Sequence, residues 1–340
     1  MTLAQQTSYV PDANFENYLE YHDYNGLPCS IGSPNSMGNG IANDSAVFTS
    51  AINTVDTLEV QGQNIADLTG IQAFTTLTYL DCSSNNLDSI NISSNNLSYF
   101  DCSDNQFNHI DVSSNLSLLT FKCNFNNLMQ LNVSSNTSLL YFECYENQLD
   151  SLDISNNIFL TELWCNDNQL KSLDVQGIDM YVLNCDNNQL TVIDNLSDNV
   201  SLKYLYCSNN NIAFLPLSTL TDLTWISCSN NQLVELDISH QSGLNYFFCR
   251  ENPSLACINV TDVATANASW TVWNGQSGNI DLQHYFSTNC SPPLAIEEHN
   301  TNKKLIKITD VFGRETKGKK NEPLIYIYDD GSVERKIILE

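Results

Sequence analysis

Hydrophobic positions recur along most of this chain with a period close to 21 residues. Between residues 55 and 260 each period reads approximately L-x-x-L-x-C-x-x-N-x-L, as in Leu139–Leu149, and a second apolar step such as Leu152 and Ile154 follows. The alternation around the cysteine predicts a short strand, whereas the Asn- and Ser-rich residues after it predict turns. A repeat this short, with one strand in each period, predicts a solenoid whose strands form one parallel sheet.

Cysteines mark the phase of the repeat, and they follow one another at gaps of 20 to 22 residues. The nine positions are Cys82, Cys102, Cys123, Cys144, Cys165, Cys185, Cys207, Cys228 and Cys249. An earlier period that begins at Val55 keeps the apolar phase, with Val60 in the cysteine position and Gln63 in the asparagine position. The sequence therefore predicts ten coils over residues 55–260.

An asparagine stands three residues after every one of these cysteines. The nine positions are Asn85, Asn105, Asn126, Asn147, Asn168, Asn188, Asn210, Asn231 and Asn252. A polar side chain buried in every coil needs hydrogen-bond partners, and a stacked column of amides can bond the turn backbone of its own and adjacent coils. We therefore predict an asparagine ladder beside the cysteine ladder.

These motifs cover about 60 % of the chain and resemble bacterial leucine-rich repeats of the short, cysteine-ladder type found in some internalin-like surface proteins. The resemblance implies a leucine-rich-repeat arc with a parallel concave β-sheet of about ten coils. It also implies a function in recognition and not in catalysis. We expect a cap at each end of the arc, because an open solenoid end exposes the core of its last coil.

The ladder thiols could in principle bind metal or form disulfides. One thiol in each parallel coil does not match the local pairs of a metal site, and parallel Cβ vectors suit disulfides poorly. We therefore predict buried, reduced thiols that act as small apolar groups. Cys257 and Cys290 lie outside the ladder and are candidates for a disulfide in the C-terminal cap, which would need an oxidising compartment. Cys29 has no obvious partner.

The two ends of the repeat region differ from it. Residues 1–6 suggest the remnant of a signal peptide, and residues 7–54 form the expected N-terminal cap, with a helix after Pro11 that places Phe15, Tyr18 and Leu19 on one face. The Gly-, Ser- and Asn-rich loop near Asp23 hints at calcium but lacks the spaced ligand pattern, so no metal site is predicted. Residues 261–290 form the expected C-terminal cap.

The C-terminal residues alternate between apolar and polar positions in three segments, which predicts a small β domain over residues 303–340 after a linker over residues 291–302. The segments D-V-F-G-R-E at 310–315, Y-I-Y-D-D-G at 326–331 and K-I-I-L-E at 336–340 resemble the sorting domain of proteins exported by the type IX secretion system. The resemblance implies that this secretion machinery is a partner. It also implies a secreted or outer-surface location.

Charge and motifs narrow the possible functions. The net charge is -26, and only four Lys or Arg precede residue 303 against 32 Asp or Glu. Such a surface repels phosphate, which excludes nucleic acid and disfavours anionic membranes. No apolar run reaches the ~20 residues of a transmembrane segment. The five histidines are dispersed and no nucleophile elbow, phosphate loop or dinucleotide motif occurs, so we predict neither an enzyme nor a cofactor.

Strand residues should alternate between the core and the solvent face of the sheet, so the positions three before and one before each cysteine should be exposed. Six of the nine residues in the first of these columns are aromatic. The candidate ligand-binding residues are Tyr141, Trp164, Tyr204, Tyr206, Trp225, Tyr246, Phe248, Asp81, Asp101 and Glu143. Exposed Tyr and Trp side chains are typical anchors of protein interfaces.

Three functions fit this pattern. A protein ligand on the concave face uses the aromatic and acidic side chains together, and it is the favoured interpretation. A glycan-binding adhesin would stack sugars on the same aromatic face. A structural surface-layer component would use the rings only as a cross-strand ladder. We expect a monomer.

Overall fold

The computed structural model describes residues 5–290, 305–309, 314–316, 323–328 and 333–337. The chain divides into two compact units, Met1–Cys290 and Ser291–Glu340. Within its described residues the first unit is a repeat solenoid with a cap at each end, and the second contains a three-stranded sheet. The predicted remnant at 1–6 lies mostly outside the described residues, and the linker at 291–302 lies wholly outside them.

The N-terminal cap combines an antiparallel strand pair with two helices. Its elements are β1 (Thr7–Tyr9), α1 (Ala13–Tyr21), β2 (Ala46–Phe48) and α2 (Thr49–Ile52), and β1 pairs antiparallel with β2. The Asp12 side chain caps α1 by accepting hydrogen bonds from the backbone N–H groups of Asn14 and Phe15. As predicted, Phe15, Tyr18 and Leu19 of α1 are buried.

Two carboxylates of α1 hold the polar loop of this cap. The buried Glu20 side chain accepts hydrogen bonds from the backbone N–H groups of Asn39 and Gly40, and the buried Glu16 side chain accepts from Asp44. Asp23 accepts from backbone N–H groups of its own turn. The carboxylates and the loop backbone thus provide one another with hydrogen-bond partners. Turn formation therefore explains why this loop is rich in Asp and Asn.

Each coil contributes one short strand to a ten-stranded parallel sheet, and adjacent coils pair in chain order and in register. The strands between the caps are β3 (Thr57–Glu59), β4 (Tyr79–Asp81), β5 (Tyr99–Asp101), β6 (Thr120–Lys122), β7 (Tyr141–Glu143), β8 (Glu162–Trp164), β9 (Leu173–Asp174), β10 (Val182–Asn184), β11 (Ile193–Asp194), β12 (Tyr204–Tyr206), β13 (Trp225–Ser227), β14 (Leu236–Asp237) and β15 (Tyr246–Phe248). Strands β9, β11 and β14 lie in the returning halves of their coils, and the other ten form the sheet.

The middle residue of every sheet strand points into the core together with the following cysteine or Val60. Equivalent side chains of successive coils stack on one another. The ring centroids of Phe100 and Phe121 are 5.6 Å apart, and those of Phe121 and Phe142 are 5.7 Å apart. The nine ladder cysteines are buried free thiols. The core is therefore a continuous column shared by neighbouring coils, and no single coil could bury it alone.

The asparagine ladder is confirmed by its hydrogen bonds. The Asn126 amide N–H group donates to the carbonyls of Cys102, Cys123 and Asn124 at 3.1 to 3.2 Å. Its Oδ1 accepts from the backbone N–H of Phe107 at 3.0 Å. Two of these four hydrogen bonds lie within the coil of Asn126 and two reach the preceding coil, and together they satisfy polar backbone groups that the turn would otherwise leave unpaired.

A second column of buried amides lies thirteen residues after the cysteines. Its amide N–H groups donate to carbonyls of the preceding coil, as Asn136 does to Val112 at 3.0 Å and to Asn115 at 2.9 Å. The members with this pattern are Asn95, Asn115, Asn136, Asn157 and Gln241. The equivalent positions in two other coils hold Ile178 and Leu220. This second ladder was not predicted, although Ser-Ser-Asn recurs at its phase in the sequence.

The C-terminal cap closes the last coil. It contains β16 (Cys257–Asn259), α3 (Val263–Ser269) and β17 (Tyr285–Ser287), and β14, β16 and β17 form a parallel sheet. The Trp270 ring packs against Phe247 of the last sheet strand at 5.2 Å and against Phe286 at 5.8 Å. Cys257 and Cys290 form a disulfide with Cα atoms 5.6 Å apart, so the cap is covalently closed.

The second unit contains three antiparallel strands, β18 (Leu305–Thr309), β19 (Pro323–Tyr328) and β20 (Val333–Ile337), with β19 in the centre. The sequence predicts a small β domain in this part of the chain, and its described residues contain these three strands. Most of the D-V-F-G-R-E segment and the end of the K-I-I-L-E segment lie outside the described residues.

Candidate functional site

The solvent side of the ten-stranded sheet, here called the sheet face, carries all ten candidate ligand-binding residues in two adjacent columns. The sequence predicted exposed side chains, and this expectation is wrong for most of them. Tyr246 is 54 % exposed, Asp101 is buried, and the other candidates are half-buried. Neighbouring strands lie close enough for the rings and acids to cover one another, which a single-strand pattern does not show.

The C-terminal part of the sheet face carries a continuous aromatic cluster. Trp225 packs against Tyr206 at 5.6 Å between ring centroids, against Tyr246 at 4.5 Å and against Phe248 at 5.8 Å. Trp164 reaches Tyr206 at 6.2 Å across β10, where the small Asn184 leaves room. These five rings, hereafter the aromatic cluster, present a large apolar surface on rigid strands, and such surfaces anchor protein interfaces.

Tyr204 lies in the same column of the sheet as Trp225 and Tyr246 but does not belong to the aromatic cluster. Its ring meets Tyr181 edge-on at 5.4 Å, and the Lys203 ammonium lies 5.3 Å from the Tyr181 ring centroid. Tyr181 occupies the position four before the cysteine, where Leu119 and Leu140 are also exposed. The alternation within each strand marks only two columns as outward, so it does not indicate this third column.

Acidic residues dominate the N-terminal part of the sheet face. The rings of Tyr79 and Tyr99 stack at 4.1 Å, and Asp81 lies directly beside Asp101 in the strand register. Asp101 accepts hydrogen bonds from the Ser103 hydroxyl and backbone N–H. Burial raises the pKa of Asp101 despite these bonds. This region therefore offers negative charge in a partly desolvated setting, which favours a cationic ligand.

Aromatic and acidic side chains meet at the centre of the sheet face. The Tyr141 hydroxyl donates a hydrogen bond to Glu143, and Lys122 lies 3.7 Å from Glu143 Oε1 and 5.2 Å from the Tyr141 ring centroid. Burial raises the pKa of Tyr141. A cavity of about 320 Å³ opens beside these residues, lined by Tyr141, Glu143, Tyr145, Trp164, Asn166 and Asn184.

A larger cavity of about 770 Å³ lies in the returning halves of four coils and includes His109, Asp111, Asp153 and Asp174. Each of the three carboxylates accepts the backbone N–H of the residue two positions later, so they close turns. Within the described residues, no three His, Cys, Asp or Glu side chains are grouped as metal ligands would be. In that same part of the chain, no helix is long and apolar enough to span a membrane.

Solved structures with a known fold resemble this chain. The functional domain of InlJ from Listeria monocytogenes, which includes a cysteine ladder, is 26 % identical and matches over 77 % of this chain and 69 % of its own, with a TM-score of 0.54. This chain folds as a leucine-rich-repeat solenoid. The fold class predicted from the sequence is thereby confirmed.

Two more distant matches show the same fold. The leucine-rich-repeat domain of APL1B is 17 % identical over 62 % of this chain and 70 % of its own, with a TM-score of 0.50. A chain of the LRIM1/APL1C complex is 18 % identical over 63 % of this chain and 45 % of its own, with a TM-score of 0.54. No family profile and no curated protein matches this chain.

Proposed function

We propose that this protein is a recognition protein that binds a protein ligand on the sheet face. The aromatic cluster carries this proposal, because five rings packed against one another on paired strands form an anchoring surface that is already ordered before a ligand arrives. The acidic residues Asp81, Asp101 and Glu143 extend the same face and would select a partner with positive charge. A structure with the same fold belongs to a complex, that of LRIM1 and APL1C, which is in keeping with protein binding.

We further propose that the protein acts outside the cell, secreted or at the outer surface. The support is the resemblance of its C-terminal sequence segments to a type IX sorting domain. The disulfide between Cys257 and Cys290 adds to it, because disulfides persist in oxidising compartments. The secretion machinery would then be a second partner, engaged by the tail and not by the sheet face.

A matched pair of variants tests the binding face. Tyr246→Ala removes a 54 % exposed ring from the cluster, and Phe214→Ala removes a 51 % exposed ring from a coil segment outside the sheet. The immobilised full-length chain would be used to capture surface proteins, and the affinity of the captured partner would be measured by calorimetry. Tyr246→Ala should weaken binding by about 2 kcal/mol, roughly 30-fold, whereas Phe214→Ala should leave it unchanged.

Three results would refute the proposal. Equal affinities for both variants would show that the sheet face does not bind the partner. If the chain captures no protein and yet gives selective signals on a glycan array that Tyr246→Ala abolishes, the ligand is a sugar and not a protein. A chain that binds nothing in either assay would leave the rings as a structural ladder.

A further inference from the structure

The residue two positions after each ladder cysteine has a left-handed backbone, with φ between 51° and 57°. Asn and Asp tolerate this conformation, whereas a bulky side chain rarely adopts it. Asn or Asp fills the position in five of the nine cysteine coils, and Ser or Glu fills it in three others. The remaining one holds Phe125, with φ 53° and 47 % of its surface exposed.

Phe125 is therefore a poor choice for the fold at its position. Exposure means that it buries little apolar surface, and its backbone conformation favours other residues. Strained residues that the surrounding structure maintains are concentrated at binding sites. The Phe125 ring meets the edge of Tyr145 at 5.2 Å between centroids, and Tyr145 lines the central cavity of the sheet face. Phe125 thus extends the aromatic border of that cavity.

The composition of the cavity indicates the chemistry of its occupant. Three aromatic rings, Tyr141, Tyr145 and Trp164, form its walls together with the Glu143 carboxylate, and no Lys or Arg is among its described lining residues. Rings and a carboxylate together favour an ammonium or guanidinium group. Lys122 of the chain itself already contacts Tyr141 and Glu143 in this way. It lies on β6, which pairs with one side of β7, whereas β8 with Trp164 pairs with the other side.

We propose that this cavity, with Phe125 and Tyr145 at its border, is a subsite for a lysine or arginine side chain of the protein ligand. The inference rests on the proposed function and specifies it further, because it assigns one ligand group to one place on the sheet face. Charge complementarity supports the assignment: residues 5–290 include four Lys or Arg and 30 Asp or Glu. A basic segment would be attracted to the whole unit and held at this cavity.

The test measures the affinity of the full chain for a Gly/Ser peptide that carries several arginines, by calorimetry at moderate salt. Matched peptides carry lysine or the uncharged citrulline in place of arginine. The arginine or the lysine peptide should bind at least about tenfold more tightly than the citrulline peptide. Phe125→Asn and Glu143→Gln should each weaken binding about fivefold or more. Phe125→Asn should not lower the Tm, because Asn suits the left-handed backbone.

Two variants serve as controls. Ser84→Asn places an asparagine at the equivalent position of another coil without removing a ring, and Asp88→Asn removes one negative charge outside the sheet face. Both should bind the peptide as the unchanged chain does. If Asp88→Asn weakens binding as much as Glu143→Gln, the attraction is general and the subsite is refuted. A lower Tm for Phe125→Asn with unchanged peptide affinity would show that Phe125 serves the fold.

A failure of the subsite can be distinguished from a failure of the proposed function. If Tyr246→Ala abolishes capture of the protein partner while Phe125→Asn affects neither partner nor peptide, the subsite is refuted and the binding face stands. If the peptide effects are as expected but Tyr246→Ala leaves partner capture unchanged, the aromatic cluster is not the anchor and the subsite remains.

Discussion

At the scale of single residues, the two amide ladders bury the same chemical group with different numbers of partners. Asn126 makes four hydrogen bonds, whereas Asn136 makes two, and other coils hold Ile178 and Leu220 at the position of Asn136. We therefore expect Asn126→Leu to lower the free energy of unfolding by about 3 kcal/mol and Asn136→Leu by about 1 kcal/mol. Urea unfolding of the two variants measures both, and equal losses would contradict the distinction between the ladders.

The ladder cysteines should be inert thiols. Burial raises the pKa of the thiols of Cys82, Cys102, Cys123 and the next four members, so little reactive thiolate is present at neutral pH. We expect slow labelling of the native protein and fast labelling in denaturant without any reductant. Mass spectrometry that detects disulfides between successive ladder cysteines would contradict this prediction. The half-exposed Cys29 provides an internal reference for fast labelling.

Asp186 should make the stability of the solenoid depend on pH. Burial raises the pKa of Asp186 to about 6, above its ordinary value of 3.8, although its carboxylate accepts the Ser208 backbone N–H. The folded state therefore binds more protons than the unfolded state between about pH 4 and pH 6, and the contribution of Asp186 to stability falls as pH rises through this range.

The corresponding variant is Asp186→Asn, whose amide oxygen can still accept from Ser208. It should raise the free energy of unfolding at pH 7 by about 1 to 2 kcal/mol, after allowance for solvent screening, and should have little effect at pH 4. Thermal unfolding of both proteins at the two pH values measures the difference. The same gain at both values would show that charge is not the cause.

At the scale of elements, the pairing of strands determines how deeply the aromatic side chains of the sheet face are buried. Trp225 is half-buried because Tyr206, Tyr246 and Phe248 pack around it. Trp225→Ala should therefore lower the free energy of unfolding by about 2 to 4 kcal/mol, since each of these three ring–ring contacts contributes about 0.5 to 1.5 kcal/mol. If Trp225 also anchors the ligand, the same variant should lose roughly 2 kcal/mol or more of binding.

Asp81 should affect the same complex differently. Asp81→Asn removes a charge at the N-terminal part of the sheet face and leaves the ring stack intact, so it should lower the association rate and its salt dependence. Association and dissociation rates measured by surface plasmon resonance at two salt concentrations would separate the effects. A faster dissociation for Asp81→Asn at unchanged association would contradict the assignment of Asp81 to steering.

At the scale of the whole molecule, the two units differ in their balance of charged residues, and each has its own sheets. The first is strongly acidic, whereas residues 303–340 include nine Lys or Arg and seven Asp or Glu. Deletion of residues 303–340 should leave the Tm of the solenoid nearly unchanged and should prevent delivery to the cell surface. Calorimetry and surface labelling of cells test the two parts. A truncated chain that still reaches the surface would contradict the sorting assignment.

Much of this molecule follows from the sequence alone. The period of about 21 residues, Val60 and the nine cysteines in phase, and the asparagines three residues later determine a ten-coil solenoid with a parallel sheet. They do so because each feature repeats, and a repeated local preference leaves few alternative folds. The cap helix with Phe15, Tyr18 and Leu19 could be predicted for the same kind of local reason, an apolar face at helical spacing.

Other properties were decided only by the tertiary structure. The pattern marks Asp101 and Trp225 as outward, but their burial depends on side chains of the adjacent coils, about 20 residues away in the sequence. The cavity beside Tyr145 likewise arises from how coils stack, because its lining residues come from different coils. A strand's own sequence determines which face a side chain takes, whereas the depth and neighbours of that side chain belong to the assembled sheet.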